Sequence, residues 1–144
     1  MNADKIKFPN PGCPKLSSPE EREELNGITE KIIGCAYRVG NGLGPGFLEK
    51  VYQNALAYEM GKAGLKVERQ VKLEVRYEKI IVGEFLADLL VAGKVLVEIK
   101  AVKSLNDAQI AQGMNYLRAT GRSVCLLINF GKSKVEVKRL VNNF

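Results

Sequence analysis

The stretch FLADLLVAGKVLVEIKAV, residues 85–102, reads as two β-strands joined by a glycine-containing turn. It carries Asp88, Glu98 and Lys100 among aliphatic residues. Charges that close to a core are costly unless something compensates them. In Val95–Lys100 alternate side chains face opposite ways, so Leu96, Glu98 and Lys100 share one face and Val95, Val97 and Ile99 the other. Glu98 and Lys100 then stand about 6–7 Å apart along the backbone. A loop of Ala92-Gly93 alone would set Asp88 opposite Val97, inside the apolar face. A loop of Ala92-Gly93-Lys94 sets it opposite Glu98, and the apolar pattern prefers this second register. Three ionisable groups then cluster on one patch.

Two carboxylates that close repel, and a cation, Lys100 or both must favour their charged forms. An aspartate and a glutamate with a few waters suit Mg²⁺ (or Mn²⁺), and an adjacent lysine can orient or activate an attacking water. The plain alternative is a solvated strand face with a Glu98–Lys100 ion pair. The strongly apolar flanks fit that alternative badly.

Outward from the hairpin, the rest of the chain gives an α/β pattern. Ser18-Pro19-Glu20-Glu21 is a helix start, with Ser18 as N-cap and Glu21 closing a capping box. Leu25, Ile28, Ile32, Ala36 and Val39 follow at helical spacing, so the first helix is expected to end near Val39. GNGLGPG (40–46) breaks it. A second helix is expected from about Phe47 to Lys62, and from Leu65 the period changes to two, as one long or two short strands. YEKI (77–80) is a turn, and strands follow at about 81–91 and 95–102. SLNDAQIAQGMNYLRATG (104–121) returns to helical spacing. The apolar run SVCLLINF (123–130) is a buried strand, and Val135–Leu140 a last one. The helix between the 95–102 and 123–130 strands reads as a crossover joining parallel strands. Residues 1–17 read as a loose tail, and residues 18–144 as a single domain.

Composition narrows the chemistry. The 144 residues contain no histidine, which removes imidazole acid–base catalysis, Ser-His-Asp and Cys-His nucleophiles and His-ligated zinc. Cys13, Cys35 and Cys125 have no metal-ligand or redox spacing, and the last two read as core packing. The net charge of +6 admits a polyanionic partner, although the basic residues are dispersed. No apolar run approaches a membrane span of roughly 18 residues, and the N-terminus does not read as a signal peptide, so no membrane association and a cytoplasmic location are expected.

Asp88 followed by Glu98-x-Lys100 in an apolar strand resembles the PD-(D/E)XK nuclease superfamily, with Ala87-Asp88 in place of its Pro-Asp. GFLEKVY (46–52) supplies Gly46, Glu49 and Tyr52 at the spacing of one branch, the GxxExxY family. AQGMNYLRATG (111–121) and LLINFG (126–131) are similar to that family's C-terminal half, so the resemblance runs from about Ile28 to Leu140. It implies a restriction-endonuclease-like core, a mixed central β-sheet flanked by helices. It also implies metal-dependent hydrolysis of phosphodiester bonds in DNA or RNA. Asp88 and Glu98 would be metal ligands, with the Ile99 carbonyl as an extra one and Glu49 as a further carboxylate. Lys100 would act on the attacking water, and Gln112 would approach the water or the scissile phosphate. Tyr52 and Tyr116 are expected near the carboxylates or nucleic acid, with a core role for Tyr52 equally open. Lys103 and Arg118 are candidates for phosphate contacts or plain surface charges. Where the family often has a histidine, this chain has Gln109. That departure keeps a second reading in view, a non-enzymatic nucleic-acid-binding or assembly module on the same fold. A homodimer is compatible with either.

Overall fold

The computed structural model describes residues 16–144. The tail expected over residues 1–17 therefore lies outside the described residues, except for Leu16 and Ser17. Ser17 is buried, and its N–H donates to the Asn143 carbonyl at 3.0 Å. The elements follow the expected order: α1 (Pro19–Leu43), α2 (Glu49–Lys62), β1 (Val67–Tyr77), β2 (Ile80–Val91), β3 (Val95–Lys100), α3 (Asp107–Thr120), β4 (Val124–Asn129) and β5 (Glu136–Val141). The five strands form one sheet in the order β1-β2-β3-β4-β5. Only β3 and β4 are parallel, and α3 is the crossover between them.

α1 begins as its sequence dictates: the Ser18 hydroxyl accepts from the Glu21 N–H at 3.1 Å, and the Glu21 carboxylate accepts from the Ser18 N–H at 3.2 Å. It runs past Val39, through Gly40 and Gly42, to Leu43. Gly40 sits where a β-carbon would collide with the Val135 side chain, so its bareness lets the helix lie close to the strand end instead of breaking there. α3 starts on a second capping box, in which Asn106 accepts from the Gln109 N–H and the Gln109 side chain accepts from the Asn106 N–H. Gln109 is thus occupied in fastening the helix start.

α1 and α2 cover one face of the sheet, where Ile32, Leu56 and Met60 meet Leu89, Val97 and Leu126. α3 covers the other, where Leu117 meets Leu96, Cys125 and Leu127. Cys35 and Cys125 are buried free thiols, as their apolar surroundings suggested. β3 and β4 are buried almost throughout, because they pair on both sides and are covered on both faces.

β3 stops at Lys100, two residues earlier than its apolar pattern suggested. The chain beyond it is held by a side chain instead of a ladder. Buried Asn129 accepts from the Val102 N–H at 3.0 Å and donates to the Val102 carbonyl at 2.9 Å. Its amide also donates to Glu136 Oε1 at 3.1 Å, and the same oxygen accepts from the Leu105 N–H. These bonds hold Glu136 below the usual carboxylate range, chiefly the one from Asn129. The segment leading into α3 is therefore fixed against the ends of β4 and β5.

Candidate active site

The β2–β3 hairpin adopts the three-residue loop. Val91 pairs with Val95, Leu90 with Leu96 and Leu89 with Val97. Ala92 and Gly93 both take left-handed backbone angles, and the Lys94 N–H closes the turn on the Val91 carbonyl at 3.0 Å. The next pair in this register is Asp88 and Glu98, and there the ladder gives way. The Asp88 N–H donates to Glu98 Oε2 at 2.9 Å, and the Ile99 N–H donates to Asp88 Oδ2 at 2.8 Å. Each strand's carboxylate takes the place of a carbonyl acceptor for the other strand. The strands are held together through these two side chains, and the carboxyl groups fill the gap between them.

A local irregularity in β1 and β2 accompanies this exchange. The β1–β2 pairs run through Arg69↔Leu89 and resume at Val71↔Ala87, skipping Gln70 and Asp88. Gln70 has a positive φ of 52°. Leu89 and Val91 pack under α1 and α2, whereas Ala87 and Phe85 pack on the α3 side, so the side chains of β2 change face around Asp88. Simple alternation did not foresee this. The change of face leaves Asp88 between the two cores, where it reaches across to Ile99.

Helices approach the pair from both sides. From α2, buried Gln53 donates to the Asp88 carbonyl at 3.2 Å and accepts from Gln70 at 3.3 Å. Glu49 and Lys50, one turn earlier, are exposed, and their charges are felt at Asp88. From the α3 side, Tyr116 stacks on Phe85 with ring centres 3.6 Å apart. The Tyr116 phenol is raised above its ordinary pKa by burial and by the charges of Glu98 and Asp88, while its side-chain bond with Gln112 pulls the other way. Cys125 lies within reach of the same two charges, and burial pushes its thiol upward further still.

The electrostatics follow from burial. Glu98 is only 7% exposed, and its carboxyl is pushed up to about 7, first by desolvation and then by the charge of Asp88. Asp88 is raised too, chiefly by desolvation and to a lesser degree by Glu49. The main-chain N–H donors and Lys100 oppose both shifts without cancelling them. Half-buried Lys100 makes no ion pair among the described residues, so the Glu98–Lys100 pair of the plain alternative is not formed. The arrangement is a desolvated pair of carboxyl groups, one oxygen of each tied to main chain, with a nearby unpaired ammonium.

This donor set fits a hard divalent cation, which would favour both charged forms and relieve their repulsion. Glu49 is not drawn into it: no group of three or more cysteine, aspartate or glutamate side chains suited to a metal occurs among the described residues. Glu49 is exposed at the first turn of α2, and its charge is felt at Asp88.

A family model describing the PD-(D/E)XK nuclease superfamily matches residues 26–140. The chain belongs to the PD-(D/E)XK nuclease superfamily. Its five-stranded mixed sheet with three helices agrees with a restriction-endonuclease-like fold. Membership of this superfamily implies interaction with nucleic acid, and its nucleases typically use divalent metals. Searches of the curated proteins and of the solved structures return no match. Among the described residues, no helix is long and apolar enough to cross a membrane.

Other expected site residues are placed as follows. Gln112 is exposed on α3 beside Tyr116, and Lys103 is exposed in the segment after β3. Arg118 is exposed and bonded to Asn115. Tyr52 departs from the expectation of a nucleic-acid contact and takes the core role. It is fully buried, stacks on Phe130 with centroids 4.6 Å apart, donates to the Gly44 carbonyl at 2.6 Å and accepts from the Phe47 N–H at 3.1 Å. Its hydroxyl is spent on the α1–α2 loop. Gln53, Lys50 and Asn129 were not singled out from the sequence. Gln53 and Asn129 left a signal there, as lone amides in otherwise apolar stripes of α2 and β4; Lys50 left none.

Proposed function

We propose that the protein is a Mg²⁺- or Mn²⁺-dependent phosphodiester hydrolase acting on DNA or RNA in the cytoplasm, of the GxxExxY branch of its superfamily. The observation that carries this reading is the reciprocal bonding of Asp88 and Glu98 across the opened hairpin. That bonding fixes two desolvated carboxyl groups side by side. Asp88 and Glu98 would hold the cation, with the Ile99 carbonyl as an added oxygen donor. A bound divalent cation supplies Lewis-acid charge to the phosphate. Lys100 orients the attacking water and balances charge that develops on the phosphate oxygens. Gln112, one helical turn before Tyr116 on α3, contacts water or substrate. Glu49 tunes Asp88 through its charge, and Lys50 offsets it. Lys103 and Arg118 meet backbone phosphates. The reading needs no second subunit.

A nucleic-acid-binding or assembly module without turnover is the second reading, favoured by Gln109 standing where the family often has a histidine and being tied into the start of α3. Cleavage assays on single- and double-stranded DNA and RNA separate the two. With Mg²⁺ or Mn²⁺ the wild type is expected to cut at least one substrate, and Asp88→Asn to cut none. A wild type that binds nucleic acid but cuts nothing with either metal establishes the second reading.

A further inference from the structure

We infer that the loop between α1 and α2 carries a docking surface for unpaired bases of a single nucleic-acid strand. This inference rests on the proposed function and names its substrate class. Leu48 is 78% exposed, Phe47 47%, Val51 38% and Leu43 37%, all within one short span of chain. Leaving that much apolar surface in water opposes the hydrophobic effect, and a clustered patch of this kind marks a contact site.

The patch is presented rigidly. The Tyr52 hydroxyl bridges Gly44 and Phe47, and Tyr52 is itself stacked on Phe130. Phe47 lies in a T-shaped contact with Tyr52, ring centres 6.0 Å apart. Helix α2 links the patch to the candidate active site. Glu49 and Lys50 lie between Leu48 and Val51 in the chain, and the charges of both are felt at Asp88. Gln53, one turn on, bonds the Asp88 carbonyl.

Two features of the patch select the occupant. Bases of a single strand offer apolar π-faces that stack on such a surface, whereas those of a duplex are hidden in the stack. Lys50 stands beside the apolar side chains and supplies a cation for the strand's phosphates, in a protein of net charge +6. A strand whose bases rest on Phe47 and Leu48 would bring its backbone toward Asp88 and Glu98.

The test is equilibrium binding by fluorescence anisotropy, in chelator so that nothing is cut, at one fixed salt concentration. Three probes are compared: a short single strand, its duplex, and the same strand with its bases removed. The wild type is expected to prefer the intact single strand over both others. Leu48→Ser is expected to weaken intact-strand binding roughly ten-fold, through the apolar contact area lost, and to leave the baseless strand unchanged. Leu48 is the N-cap of α2 and makes no side-chain capping bond, so serine there supports the helix and the melting temperature should not fall. Val51→Ser serves as a second variant. The inference is overturned if both variants bind the intact strand like wild type, or if wild type binds intact and baseless strands equally. It is also overturned if none of the probes binds, which leaves a protein partner for the patch. Base-dependent binding without any cleavage would sink the hydrolase reading and keep this surface. Cleavage with no base dependence would do the reverse.

Discussion

Lys100→Ala should lower single-turnover cleavage by about 10²–10³-fold while changing nucleic-acid affinity far less. Lys100 follows Glu98 on the same face of β3, and its charge reaches both Glu98 and Asp88. It makes no ion pair among the described residues, so its ammonium is not committed to holding the fold. Charge on the phosphate oxygens grows towards the transition state, and a positioned ammonium gains more there than in the ground state. On the proposed reading, affinity is shared with other cations such as Lys50, Lys103 and Arg118. Because Lys100 also eases the carboxylates towards their charged forms, its loss weakens metal binding, so the comparison must be made at saturating Mg²⁺. Equal rates for wild type and Lys100→Ala there would remove Lys100 from the chemistry.

A second large effect concerns stability against pH in the absence of divalent metal. The Glu98 carboxyl stands at about 7 in the folded protein against 4.5 ordinarily, so the folded state binds the extra proton. The stabilisation is fully present below about 4.5 and is lost as pH rises through about 7, a change of about 3 kcal/mol at most. Glu98 is faced by Asp88, Lys100, Tyr116 and Cys125, and the upward direction is set by burial and Asp88. Glu59 and Glu136, both held below the usual range, give the opposite slope at lower pH. The informative quantity is therefore the difference between wild type and Glu98→Gln. Glu98→Gln should lack the loss between about pH 4.5 and 7 and should be the more stable protein at pH 8. Mg²⁺ should restore the wild type at pH 8 by binding only its folded form, and leave Glu98→Gln little changed. Parallel stability curves for the two proteins would show that Glu98 is not the strained group.

The hairpin was legible because β3 alternates strictly and one-residue slips are penalised. Burying Asp88 among valines was the only other choice offered by the loop, and the three-residue loop avoids it. What alternation hid is that the ladder stops there. The change of face at Asp88 lies across from a positive φ at Gln70 in β1, a residue whose identity does not announce one. The glycines after Val39 looked like a helix end, yet Gly40 serves close packing on Val135, a contact made far along the chain. Gln53 and Asn129 were not singled out, because their partners, the main chain of Asp88 and of Val102, lie 35 and 27 residues away. Tyr52 was read equally as a site or core aromatic, and only the path of the α1–α2 loop decides for the core. The carboxylates could be read because their chemistry is costly wherever they stand. The residues that hold them in place could not, because their roles depend on long-range geometry.

In the proposed mechanism Asp88 and Glu98 together hold a divalent cation. Crystals grown with Mn²⁺ and measured for anomalous scattering test it most directly. A single strong peak is expected within bonding distance of one oxygen from each of these carboxylates, absent from Asp88→Asn crystals. A peak elsewhere, or an unchanged peak in Asp88→Asn, would contradict it.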